Sequence, residues 1–504
     1  MLRLLPAAAL RILPYMGRTP LILLLCGCLV GLRGPAASLR SVGGFYAAPG
    51  GTAAGDGTRA RPWDLATALA GGRGAVGAGD TIWLRGGTYA GTFEARVAGT
   101  SAAPVIVRQY PGERATIDGS LHARGAFVTY WGFEITQSNP VANGKNALET
   151  YGPNCRFVNL IVHDAGAQGV SFWETEGTAE LYGSIIYDNG THPGLDHGIY
   201  AANDGGEKWI VDNVVFDNLA YGIHVYAGPR HPVLTDVHVR GNVAFATGLV
   251  PDRGWLANVL VGGAVRTQRM TVDSNLLYFP DSAGLNMRLG QPRGDNRDIV
   301  VRANYVAGGA AALFMQQWAQ AEVAGNHLIG PGAVVDLRVG GAPPSASWRW
   351  SGNTYYRDSA AKAWRYQGDR YDLRDWQAQT GLGATGIAAG AVPAAPRVFV
   401  RPNRYEPGRA TVVIYNWSRQ DPVAVDLSGV VQPGAHYEVR SVERIFGTPM
   451  AEGSYAGGPI SIPMAPIAPP RPIAHPGWTR QPSGPAFGVF IVTSSNGRQG
   501  RRPP

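Results

Sequence analysis

Two histidines in similar settings are the residues best suited to chemistry: His197 in GLDHGIYAANDGG (194–206) and His224 in YGIHVY (221–226). An imidazole can take or give a proton near neutral pH. Asp196 precedes His197 and is placed to orient it, and Arg288, at the end of AGLNMR (283–288), supplies a cation that never discharges. A base beside such a cation suits proton abstraction next to a carboxylate, because the cation neutralises the carboxylate and makes the proton acidic. On a uronate sugar that step begins a β-elimination, with His224 or His197 as base and Arg288 as the neutralising group. Lys208 is another candidate base. A lone histidine is ordinarily structural, so the argument depends on whether His197 and His224 hold equivalent positions.

The elements that position them repeat. ELYGSIIYDNG (180–190), KWIVDNVVFDN (208–218), VHVRGNVAFAT (237–247), RMTVDSNLLYF (269–279), DIVVRANYVAG (298–308), AEVAGNHLIGP (321–331) and SWRWSGNTYY (347–356) align on one polar column: Ser184, Asn213, Asn242, Asn275, Asn304, Asn326 and Asn353. The steps are 29, 29, 33, 29, 22 and 27 residues. An apolar residue stands three places before each and two after, as in Leu181 and Ile186, or Ile210 and Val215. NCRFVNLIVHD (154–164) joins the series less cleanly, because Arg156 falls where an apolar residue is expected. Short strands with Asn at a bend predict coils of three strands stacked at ~4.8 Å, each Asn bonding its equivalents above and below. The Asn column is therefore structural.

A further strand follows in each repeat: QGVSFW (168–173), HGIYAA (197–202), YGIHVY (221–226), AGLNMR (283–288), ALFMQ (312–316) and VVDLR (334–338). Alternation sends Val170, Ile199, Ile223, Leu285, Leu313 and Val335 inward, and Ser171, Tyr200, His224, Asn286, Phe314 and Asp336 outward. Trp173, Tyr226, Arg288, Gln316 and Arg338 form a second outward column. Long inserts at 190–196, 227–236, 247–257 and 290–298 predict a groove centred on His224 and Asn286. Trp173, Tyr200, Tyr226, Asn286, Gln316, Asp336 and Arg338 are the expected substrate-binding residues, aromatic faces covering sugar rings and polar groups binding hydroxyls and carboxylates.

FYAAPGGTAAGDGTRARPWDLATAL with GAGDTIWLRGGTYAGTF, then APVIVRQYPGERATIDG and YWGFEIT, resembles the entry into the secreted right-handed parallel β-helix proteins of the pectate-lyase-like superfamily. YDLRDWQAQTGLG (371–383) resembles the helical segment that closes such a coil. The resemblance implies an all-β fold, a right-handed single-stranded parallel β-helix over 45–383, and a polysaccharide, acidic by preference, as partner. It does not specify activity, because the superfamily includes lyases, hydrolases, uronate epimerases and non-catalytic surface proteins. Elimination on a uronate glycan is the leading expectation. A hydrolase, with carboxyls drawn from Glu174, Asp196 and Asp336, an epimerase or a glycan-binding protein are the alternatives. Asp196, Asp204 and Glu207 lie close in sequence, but no acidic cluster repeats from coil to coil, so Ca²⁺ stays open and no cofactor is assigned. His192, His197, His224 and His231 lack metal-site spacing, so no metal ligand is assigned.

A Pro/Ala-rich linker (384–396) precedes short alternating strands over 397–493 that read as a small β-sandwich, with a disordered tail at 494–504. Residues 1–37 read as a secretory signal whose true start could be Met16, and Cys28 resembles the acylated cysteine of a lipoprotein signal. A secreted, periplasmic or cell-surface monomer is expected. The apolar run is too short for a stable membrane span. Cleavage near Ala37 would leave Cys155 without a disulfide partner. The 69 glycines, about twice the ordinary ~7%, fit a fold rich in turns. The formal charge of +8 comes almost wholly from arginines scattered without a basic cluster, which argues against a nucleic-acid footprint; an anionic substrate would benefit from the excess, and a spread surface charge accounts for it equally well.

Overall fold

The computed structural model describes residues 44–495 except 249–253, 281–283, 293, 341–346, 479 and 481. The leader 1–37, with Met16 and Cys28, and tail residues 496–504 lie outside the described residues. No helix among the described residues is long and apolar enough to cross a membrane.

Alternating segments separated by polar bends stack as three-stranded coils. In one coil the strands are Glu207–Val211, Val214–Phe216 and Ile223–Val225. They define a first, second and third face, and each pairs in parallel with its equivalents in adjacent coils. Ile210 is in register with Leu181 and Val239, Val215 with Ile186 and Ala244, and His224 with Tyr200 and Leu260. Ile199, Ile223, Leu313 and Val335 point into one continuous core. Segment 154–164 departs from the expected alignment because Leu160, not Asn159, takes the bend: its N–H donates to Ser184 Oγ at 3.1 Å, and Phe157 fills the core place opposite Leu181.

At the bend between first and second faces, the Asn213 N–H and Nδ2 both donate to Asn242 Oδ1 at 3.0 Å. The same bonds run on through Asn275, Asn304, Asn326 and Asn353. Each buried amide thus satisfies a neighbouring coil that would otherwise carry an orphaned polar group. The preceding residue turns the chain with a positive φ, 69° at Gly241 and 54° at Ala303, where a side chain is strained.

Helix Leu65–Leu69, capped by Asp64 accepting from the Thr67 N–H, lies near the start of the coil. Helix Leu373–Thr380 closes the other end with Trp376 buried edge-on to Trp350. Beyond it stand a five-stranded antiparallel sheet and a two-stranded sheet. Strand Arg409–Tyr415 explains how they pack. Val412 and Ile414 join a core with Val425 and Ile462 of the two-stranded sheet, while Val413 and Tyr415 pack on Tyr187, Phe216 and Phe245 of the second face. The five-stranded sheet therefore covers the second face of the β-helix. The last strand runs to Ser495, so residues 494 and 495 belong to it.

Candidate active site

On the third face the outward side chains follow the register Glu94, His122, Glu149, Ser171, Tyr200, His224, Leu260, Arg288, Phe314, Asp336 and Arg365. Two expectations are corrected here. The coil Ala257–Val261, hidden in what reads as a long insert, adds Leu260 between His224 and Arg288. Arg288 then takes the column place expected of Asn286, and Met287 takes the core place expected of Leu285. Leu285 instead packs with Tyr221, Leu256, Ala257 and Leu260. Asn286 is fully buried, accepting from Asn258 Nδ2 at 2.8 Å and donating to Ala307 O at 2.8 Å, so it holds the corner between second and third faces.

His197 and His224 do not hold equivalent positions, because Tyr200 is the residue in register with His224, but they are brought together, their ring centroids 4.2 Å apart and edge-on. His224 is sandwiched between Tyr221 at 4.6 Å and Tyr226 at 5.1 Å, with Tyr200 edge-on at 5.6 Å. Its Nδ1 is buried without a hydrogen-bond partner. Burial, then the proximity of His197 and Arg288, holds the His224 imidazole well below its ordinary value. Burial alone lowers His197 to about 3. Both rings are neutral at physiological pH because burial disfavours the imidazolium and no carboxylate among the described residues offsets it. His197 is fixed by its neighbours: its N–H donates to Gln168 Oε1 at 2.7 Å, and its Nδ1 accepts from the Tyr221 N–H at 3.3 Å. The Gly of HGIY is structural, since a Cβ at Gly198 would lie 2.6 Å from Asn218 Nδ2.

Arg288 reaches the pair through Tyr221. Its guanidinium donates to Tyr221 Oη at 3.1 Å, Trp255 O at 3.0 Å and Gln291 Oε1 at 3.3 Å. Burial pushes the phenols of Tyr200 and Tyr221 up to about 12, so both stay protonated as donors. Trp173 continues the aromatic surface 5.6 Å from Tyr200, and Trp255 stands edge-on to Tyr221 with 46% of its surface exposed. Tyr221 and Trp255 escaped the sequence reading: one stands at a turn, the other inside an insert, and neither obeys the alternation that flags the columns.

Other expected residues do other work. Asp196 does not orient His197. Its Oδ2 accepts from the N–H groups of Thr191 and His192 and stands 3.2 Å from His192 Nδ1, closing the 191–196 loop. Lys208 points into the coil, where Nζ donates to Thr175 Oγ1 at 2.5 Å, and burial lowers it to about 8. Gln316 is buried and donates to Gly290 O at 2.9 Å. Asp336 is buried too, 3.3 Å from Arg338 and 3.6 Å from Arg365. Arg338 lies over the Phe314 ring at 5.2 Å. Asp336 and Arg338 stand four coils, ~19 Å, beyond His224, outside contact with the histidine pair. Glu174, a hydrolase candidate, lies 2.6 Å from His231 Nδ1. The groups around His224 are imidazoles, phenols and a guanidinium rather than the oxygen ligands Ca²⁺ requires, so no step is derived through a cation there.

A second cluster occupies the start of the same column. Glu94 Oε1 is 2.6 Å from His122 Nδ1, and Glu149 Oε2 lies 4.0 Å from its Nε2. Arg124 bonds Glu94, Tyr151 bonds Glu149, and Asn146 Nδ2 donates to Glu149 Oε1 at 2.8 Å.

Residues 114–258 match the family model described as a right handed beta helix region. With the parallel pairing above, this defines the class as a right-handed parallel β-helix protein with C-terminal β-sheets. Among solved structures the chain is similar to a pectate lyase (TM-score 0.45, 16% identity, 62% of this chain and 79% of that one). It is also similar to a rhamnogalacturonan lyase (0.40, 13%, 69% and 86%). An alginate lyase from Paenibacillus shares 18% identity at a TM-score of 0.32, over 64% of this chain and 98% of that one. No curated protein sequence matches it.

Proposed function

We propose that the protein cleaves a uronate-containing polysaccharide by β-elimination on its third face, outside the cytoplasm. The observation that carries this reading is the neutral His197–His224 pair joined through Tyr221 to Arg288. A uronate carboxylate binds the Arg288 guanidinium, and its negative charge beside His224 raises the basicity that burial suppresses. His224 then takes the proton from the carbon next to the carboxylate. Electrons move to form the carbon–carbon double bond as the glycosidic C–O bond breaks. The departing oxygen takes a proton from the phenol of Tyr200 or Tyr221. Trp173, Tyr200 and Trp255 supply faces for neighbouring sugar rings.

The test is ultraviolet absorbance of the unsaturated product on pectate, alginate and glycosaminoglycan panels. His224→Ala is expected to lower turnover roughly 10²- to 10⁴-fold while polymer retention persists. Turnover by His224→Ala equal to that of the unchanged protein would overturn the assignment.

The Glu94–His122–Glu149 cluster favours a second reading, glycoside hydrolysis. The two carboxylates approach the two ring nitrogens of His122, at 2.6 and 4.0 Å, a pairing of carboxyl groups of the kind hydrolysis requires. Reducing ends released without absorbance, and lost in Glu149→Gln, would select it.

A further inference from the structure

A cavity also lies away from the third face. A trough of about 950 Å³ lies on the first face, walled by Val400, Arg401, Pro402 and Arg404 from the C-terminal sheet. Its floor follows the register Thr129, Arg156, Glu180 and Trp209 on successive coils, and the next coil adds Arg240, two residues along its strand from His238, which is in register with Trp209. Four coil steps make the floor ~19 Å long. It runs parallel to the coil axis, as a linear polymer would lie.

Its chemistry is that of a site for an anionic chain. Trp209 is half-buried and stacked 4.0 Å above His238, which stiffens it as a platform, and Trp209 Nε1 is held by Glu207 Oε2 at 3.0 Å. The His238 Nε2 is buried without a hydrogen-bond partner. Four arginines line the trough against two carboxylates, Glu180 and Asp212. Glu180 is already engaged by Arg404 and by Tyr405 Oη at 2.6 Å. Arg401 donates to Ser274 O at 2.5 Å and stands 3.9 Å from Asp212. Arg156 is exposed and pairs with no carboxylate among the described residues, and Arg240 has only a 3.5 Å contact with Asp273. An aromatic platform beside uncommitted guanidiniums recognises a sugar ring through its C–H face and a carboxylate or sulfate through bidentate hydrogen bonds.

We propose that this first-face trough is a second, non-catalytic binding site for an acidic polysaccharide chain, holding the polymer while another segment lies on the third face. The acidic class rests partly on the reading of the third face, but the trough needs no turnover to act. The two sites are separated by measuring retention and turnover independently. Retention on affinity gels cast with polygalacturonate, alginate or a sulfated glycosaminoglycan is compared for the unchanged protein, Arg156→Glu, Trp209→Ala and His224→Ala.

Arg156→Glu, an exposed charge reversal that leaves the core untouched, and Trp209→Ala are each expected to weaken retention on one polymer about tenfold or more. Turnover of short oligosaccharides should be unchanged, and the same loss should appear in the His224→Ala background. Unchanged retention in both variants overturns the proposal, as does an unchanged protein that no acidic polymer retains. Loss of retention in Arg156→Glu with no elimination by any form supports the trough while the third-face chemistry fails.

Discussion

The second and third faces carry aromatic columns of the same parity but opposite fates. On the second face Tyr187, Phe216 and Phe245 stack at 5.1 and 4.9 Å, a row that viewed alone would suit sugar rings. It is sealed by Tyr415, Phe487 and Val489 of the C-terminal sheet. On the third face Trp173, Tyr200 and Tyr226 keep part of their surface open. The histidines divide likewise. Burial would lower His163 on the second face, but hydrogen bonds to Asp164 and Glu134, each 2.8 Å long, outweigh it and lift the ring to about 9. Burial without a carboxylate takes His197 down to about 3. An outward aromatic or histidine is therefore functional or structural according to what covers it and which charges face it, not according to its place in the repeat.

That contrast is tested most severely at the join. Arg480 is buried between Asp188 at 2.8 Å and Asp217 at 2.7 Å. Arg480→Ala leaves two buried carboxylates unpaired and should destabilise the protein by roughly 3 to 5 kcal/mol, read from urea unfolding, with the second face opening first in hydrogen exchange. A loss below about 1 kcal/mol would mean that apolar packing alone seals that face. Next, Asn286→Ala removes the buried bonds to Asn258 Nδ2 and Ala307 O, which keep Tyr278 O and the Phe279 N–H as second partners, for about 0.5 to 1.5 kcal/mol per bond. Turnover by the folded fraction should be unchanged. A raised KM with unchanged stability would restore Asn286 as a substrate contact.

The opposed histidines predict a stability maximum near pH 6.5. His163, raised to about 9, contributes stability fully present below its unfolded value of 6.5 and lost as pH climbs to 9, by up to about 1.4 kcal/mol per pH unit. His197, lowered to about 3, contributes in the other sense: stability is full above 6.5 and lost as pH falls toward 3. Glu134, held at about 2 although burial would raise it, because His163, Arg114 and Thr116 bond its carboxylate, adds a loss as pH falls below 4.5. Urea midpoints against pH should show both limbs, and His163→Gln should flatten the alkaline limb while leaving the His197 contribution to the acid limb. A profile unaltered by that change would contradict the charge assigned to His163. The smallest effect is expected from Arg338→Ala, which loses an exposed partner of Asp336 and should change stability by no more than about 1 kcal/mol and leave turnover unaltered. A large fall in turnover would extend the site to the far end of the column.

The coil, its polar bend from Ser184 to Asn353 and the outward direction of Tyr200 and His224 were legible in the residues alone, because alternation and bend chemistry are local and repeat with each turn. The same locality explains the slips. Coil Ala257–Val261 sits against an insert that masks its period, and missing it put Asn286 where Arg288 belongs. Long-range packing decided the rest: that Asp196 serves a loop, that Lys208 faces the core, that Tyr221 joins Arg288 to His224, and that the C-terminal sheet seals one face and walls a trough on another. Register counts, loop packing and burial depend on residues far apart in the chain. Sequence therefore determined which residues share a face, while tertiary structure decided which face remains open and what charge its histidines carry.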